Sequence, residues 1–186
     1  MEPERLFKRK IYDRLLQWKE SSNGKSALLI EGARRIGKST IVKAFARNEY
    51  ESFIFIDFTK CSQEVKNLFN DVSDLNYIFL RLQLAYGVQL VERKSLIVFD
   101  EVQFQPLARQ AIKSFVEDHR YDYIETGSLI SIRKNTDKIL IPSEEERICM
   151  YPMDYEEFRW ALGDSATVPL LRSVWEHPQP LKEVHR

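Results

Sequence analysis

An α/β fold built on a mainly parallel sheet is the expectation from this sequence, and three observations carry it. Short apolar runs alternate with segments of helical period along most of the chain. One apolar run, Ala27-Leu28-Leu29-Ile30-Glu31, leads into the loop Gly32-Ala33-Arg34-Arg35-Ile36-Gly37-Lys38-Ser39, and a helix-patterned segment follows directly. A later run, Ser95-Leu96-Ile97-Val98-Phe99, ends in two adjacent acids, Asp100 and Glu101.

In chain order, residues 5–20 read as an amphipathic helix, because Ile11, Leu15 and Trp18 recur at helical spacing. Ser21-Ser22-Asn23-Gly24-Lys25 breaks it. The apolar face is expected to dock on the domain that follows. The first strand covers about 26–31, and a helix covers about 38–47. Phe53-Ile54-Phe55-Ile56-Asp57-Phe58 is apolar enough for a parallel strand covered on both faces. Residues 62–90 have helical character, divided near Asp71–Asp74. The third strand is 95–101. Pro106 opens a helix over about 106–118 with Leu107, Ala111, Phe115 and Val116 inward. Tyr121–Thr126 is a fourth strand, followed by Gly127-Ser128. Residues 129–147 read as polar and irregular, Ile148–Tyr151 as a fifth strand. Asp154 caps a last helix to about Leu162.

At 186 residues the chain holds one domain, or one domain with a tail. The expected division is an N-terminal helix over 1–25, the main domain over 26–163, and a linker over 164–186. Hydrophobic residues at 44% and charged residues at 30% suit a globular protein outside the membrane. No apolar run has membrane-spanning length, and the charged N-terminus lacks a signal-peptide core, so a cytoplasmic location is expected. Cys61 and Cys149 form neither a metal spacing nor a disulfide framework. Net charge is zero, yet residues 1–47 hold 12 Lys/Arg against 5 Asp/Glu. That basic third leaves nucleic acid open as a partner, with no recognition motif behind it.

The loop has the pattern G-x-x-x-x-G-K-[ST] in its required setting, a strand before and a helix after. Small residues at Gly32 and Gly37 let backbone N–H groups wrap an anion. The helix beginning near Lys38 presents its positive end to phosphates. The residues expected to bind nucleotide are Gly32, Arg34, Arg35, Ile36, Gly37, Lys38, Ser39 and Thr40. Lys38 reaches the β- and γ-phosphates, and Ser39 offers a hydroxyl to Mg²⁺. Asp100 is expected to hold Mg²⁺ with Ser39, and Glu101 to activate water as general base. Ser128 or Thr126, after the fourth strand, is placed to sense the γ-phosphate or orient the water. Arg133 and Arg147 are candidates for positive charge in the transition state, and Gln103 for a contact near the γ-phosphate. His119, His177 and His185 form no cluster.

These segments, with Tyr151-Pro152-Met153-Asp154-Tyr155-Glu156-Glu157-Phe158, resemble the prokaryotic AAA-type ATPases of bacteria and archaea. In that group a P-loop domain precedes an uncharacterised C-terminal domain. The resemblance spans most of residues 5–163. It implies an AAA+-like five-stranded parallel sheet of order 5-1-4-3-2, with helices on both faces. It implies ATP or ADP with Mg²⁺, with Lys38, Ser39, Asp100 and Glu101 on the group's Walker positions. It places the sensor hydroxyl within Thr126–Ser128, and Arg147 nearest the group's arginine before the last strand. Such proteins run roughly twice this length on domain-size grounds. A C-terminal domain is therefore expected beyond this chain, and a homo-oligomer is a possible assembly.

The expected function is ATP hydrolysis that drives conformational change in an attached domain or partner. Two alternatives stand beside it. One is a nucleotide-gated switch or DNA-associated regulator with negligible turnover, against which Glu101 argues. The other is a small-molecule kinase with Arg133–Arg147 as a lid.

Overall fold

The computed structural model describes residues 7–128 and 144–177. They form two compact units, Ile11–Pro152 and the described parts of Met1–Lys10 with Met153–Arg186.

In the larger unit, α1 (Ile11–Ser22) is followed by β1 (Ala27–Gly32) and α2 (Lys38–Glu49). Next come β2 (Ser52–Asp57), the short α3 (Gln63–Asn67) and α4 (Leu75–Tyr86). After β3 (Ser95–Asp100), the single helix expected over 106–118 is two: α5 (Pro106–Gln110) and α6 (Ile112–Asp118). Only Ala111 separates them, at φ −72° and ψ −13° and still in the right-handed helical region. Ala108 and Arg109 face inward instead of Leu107, which is 43% exposed. β4 (Asp122–Ser128) and β5 (Glu145–Met150) complete the sheet.

The five strands are all parallel, in the order β2-β3-β4-β1-β5. This is the expected order read from the other edge. β3 is buried along its whole length, as a central parallel strand with helices on both faces should be. One face packs Leu29, Ile97, Phe99 and Tyr123 against Ile78, Phe79, Leu82 and Phe115. The other packs Leu28, Ile30 and Val98 against Ile41 and Phe45 of α2 and Leu15 and Trp18 of α1. The expected docking of α1 thus occurs, through the residues whose spacing announced it.

Two boundaries differ from expectation. Residues 7–10 lie outside the first helix, which starts at Ile11 and runs on to Ser22. Asn23 (φ 44°) and Gly24 (φ 76°) then turn the chain through the left-handed region. The fifth strand begins at Glu145, three residues before its apolar run. Its first charges are paired rather than solvated: Arg109 donates through Nε and a second guanidinium N–H to the two oxygens of Glu145, both at 2.9 Å. Residues 129–143, with Arg133, lie outside the described residues.

The smaller unit contains α7 (Tyr155–Ala161) and α8 (Thr167–Glu176). Asp154 caps α7 as expected. Its side chain accepts from the Glu157 N–H at 2.8 Å, and Glu157 accepts in return from the Asp154 N–H at 3.1 Å. Lys10 pairs with Asp154 at 2.6 Å and Glu156 at 2.8 Å, and Arg9 pairs with Glu157 at 3.2 Å. Among the described residues no helix is long and apolar enough to cross a membrane.

Candidate functional site

The sheet brings the ends of β1, β3 and β4 side by side. In an open parallel sheet, ligands sit beyond these carboxyl ends. Gly32 closes β1, in register with Met150 on one side and Ser128 on the other. A Cβ on Gly32 would collide with the Met150 carbonyl and lie 2.9 Å from Ile36 Cδ1. Its glycine is thus demanded by the neighbouring strand, besides any demand from a ligand. Gly37 has φ 93° and stands at the N-cap of α2, where a residue with a Cβ is strained.

The start of α2 is suited to an anion. No side chain caps it and no acid lies in its first turn. Lys38 is 5% exposed, and its ammonium donates to Gly32 O at 3.1 Å and Ala33 O at 2.8 Å. Burial lowers its pKa, while Glu101 and Asp100 pull the other way. Arg34 and Arg35 carry exposed side chains, and Ile36 and Thr40 are half-buried.

Opposite stands Asp100 at the end of β3. Ser39 Oγ donates to its Oδ1 at 2.7 Å, and Thr126 Oγ1 donates to the same oxygen at 2.6 Å. Thr126 Oγ1 also accepts from the Glu101 N–H at 3.2 Å. Burial raises the Asp100 pKa, opposed by these two hydroxyls and assisted by Asp57 and Glu101. Glu101 is half-buried with φ 56°, so the chain turns sharply as it leaves β3. Gln103 Nε2 donates to Glu101 Oε2.

The expected residues therefore fall into three groups. Lys38, Ser39, Asp100 and Glu101 converge. Ser128 ends β4 beside Gly32 and is buried, but Thr126 is the hydroxyl that touches Asp100. Arg147 stands in mid-β5 level with Leu29 and donates through Nε to Glu145 at 2.8 Å, which turns it away from the loop. Asp57, in register with Asp100, is a further carboxylate whose charge Asp100 feels, and sequence reasoning did not single it out. The signal was present, since Ile56-Asp57 repeats the pattern Phe99-Asp100. Its carboxylate already accepts from the Thr59 N–H at 2.9 Å and pairs with Lys60 at 3.1 Å.

Mg²⁺ and a triphosphate fit these groups. The oxygen donors of Ser39 and Asp100 are hard ligands of the kind Mg²⁺ takes. The uncapped helix start and the buried ammonium supply the positive field a polyphosphate needs.

A parallel sheet in this order, with a glycine loop entering a helix beside an acid-tipped strand, defines a P-loop nucleotide-binding domain. Residues 24–159 match the model of the AAA domain family, and the chain belongs to that family. The DnaC helicase loader structure is similar to this chain at 13% identity and a TM-score of 0.47, covering 79% of this chain and 94% of that one. The structure of PCH-2 from C. elegans is similar at 12% identity and a TM-score of 0.43, covering 88% of this chain and 46% of that one. No curated protein matches the chain.

Proposed function

We propose that this domain binds ATP with Mg²⁺ and hydrolyses it, and that the cycle moves an attached domain or partner. The observation that carries the reading is the 2.7 Å contact of Ser39 Oγ with Asp100 Oδ1, beside the buried ammonium of Lys38. Loop and acid are 61 positions apart in sequence, and the sheet brings them together through two polar oxygens.

In this reading Lys38 leaves the carbonyls of Gly32 and Ala33 for the β- and γ-phosphates. The first N–H groups of α2 hold the phosphates from below. Ser39 and Asp100 would hold Mg²⁺, which offsets phosphate charge when bound. Glu101 takes a proton from the attacking water. The water oxygen bonds to the γ-phosphorus as the bond to the β–γ bridging oxygen breaks, and ADP and phosphate leave. Thr126 keeps Asp100 and the Glu101 backbone in one frame.

The test is nucleotide binding with and without Mg²⁺, on this chain and on Lys38→Ala. ATP and ADP are expected to bind, and the variant to lose at least about tenfold, or about 1.4 kcal/mol. Unchanged affinity in Lys38→Ala removes the binding mode. Single-turnover hydrolysis by Glu101→Gln at the wild-type rate removes the hydrolase reading and leaves a nucleotide-gated switch.

A further inference from the structure

We propose that Gln103 is the positioning residue of Glu101, holding one carboxylate oxygen so that the other faces the attacking water. The proposal rests on the hydrolase reading above and adds a residue to it.

The backbone of Glu101 is well fixed. It sits at φ 56°, its N–H is held by Thr126, and its carbonyl accepts from the Phe104 N–H at 3.0 Å. Its side chain is a different matter. Glutamate has three rotatable bonds, and a half-buried carboxylate with no partner sweeps through several rotamers. A general base must stay within hydrogen-bond reach of one water, so that freedom lowers the rate.

Gln103 removes it. It is 7% exposed and belongs to the tight turn Val102–Phe104 that follows Glu101. Its amide N–H donates to Glu101 Oε2, and among the described residues no hydrogen bond engages Oε1. A neutral amide suits the task. It donates to the carboxylate without neutralising it, whereas a lysine or arginine there would make Glu101 a weaker base.

The first readout needs no nucleotide. In proton–nitrogen spectra of the free chain, the Gln103 amide is expected to show one downfield, exchange-protected proton. Glu101→Ala is expected to abolish it and to leave the amide of Gln105 unmoved, since that amide donates to Lys66 O at 2.7 Å. A Gln103 signal indifferent to Glu101→Ala overturns the proposal.

The second readout is kinetic. Gln103→Met keeps the shape and removes the donor. It is expected to lower kcat about tenfold, with KM changed by less than about twofold. In a Glu101→Gln background the same substitution is expected to cost nothing more, because the positioning role runs through that carboxylate. A further loss there assigns Gln103 a structural role and overturns the proposal. Wild-type kcat in Gln103→Met overturns the positioning role and leaves hydrolysis standing. Equal rates in wild type and Glu101→Gln overturn the hydrolase reading, and the positioning role falls with it.

Discussion

Replacing Glu125 by glutamine is expected to remove a slope from the pH dependence of stability. Glu125 lies in mid-β4 and is fully buried. Neither of its oxygens receives an N–H or O–H from the described residues. Its neighbour is the carboxyl of Glu145, which Arg109 holds with two bonds and Arg147 with one. Arg109 also feels the charges of Glu125 and the half-buried Glu31. Burial, and then the charge of Glu145, push Glu125 well above the usual carboxylate range. Burial works to raise Glu145 too, but the Arg109 fork carries it below its ordinary value. Glu125 is therefore the member of the pair that keeps its proton to higher pH.

In the unfolded chain Glu125 titrates near about 4.3. Between that pH and its raised folded value, the folded state holds up to one proton more than the unfolded state. The contribution is fully present below the unfolded value and is lost as pH rises toward the folded one. The slope between the two values approaches about 1.4 kcal/mol per pH unit. Each pH unit crossed is then a sizeable share of the roughly 5–15 kcal/mol by which domains are stable. Glu145 works in the other direction, at pH values below its unfolded pKa, and leaves this window clear. Glu125→Gln keeps the shape and a donor to Glu145 but does not titrate. Urea unfolding of both chains at pH 5, 6 and 7 should show the variant gaining on wild type as pH rises. Parallel curves for the two chains would refute the protonated carboxyl.

Three further outcomes follow from the same packing. Gly32→Ala should be strongly destabilised, read as a lowered urea midpoint, because its Cβ runs into the Met150 carbonyl across β1 and β5. Arg109→Met should cost about 3–5 kcal/mol in the same assay, since it leaves Glu145 buried and ionised without its fork. Thr126→Val keeps the volume and deletes the hydroxyl shared by Asp100 and Glu101. Single-turnover hydrolysis should slow about tenfold or more while ATP affinity stays within about threefold.

Much of this molecule is legible along the chain because local physics writes it there. A strand buried on both faces must be apolar throughout, so Leu96–Phe99 announces itself, whereas Phe53–Ile56 is equally apolar on an edge strand that leaves Phe53 and Phe55 half-buried. A tight turn into a helix needs glycine at Gly37, and an amphipathic helix shows its period at Ile11, Leu15 and Trp18. Those signals, with the spacing of Gly32, Gly37, Lys38 and Ser39, suffice for the fold class and the loop.

What the tertiary structure alone decided concerns groups whose partners lie far away in sequence. The first half of β5 looked like a polar loop because a buried charge reads as solvated until its counter-charge is found. Arg109, 36 positions away from Glu145, supplies it. The same pairing withdrew Arg147 from the phosphate loop. Ser128 and Thr126 were equivalent hydroxyls along the chain, and the register of β3 with β4 brought Thr126 to Asp100. Sequence period reports which face of an element is covered, whereas the partner of a polar atom depends on register and on helix phase. Both are set only when the sheet assembles.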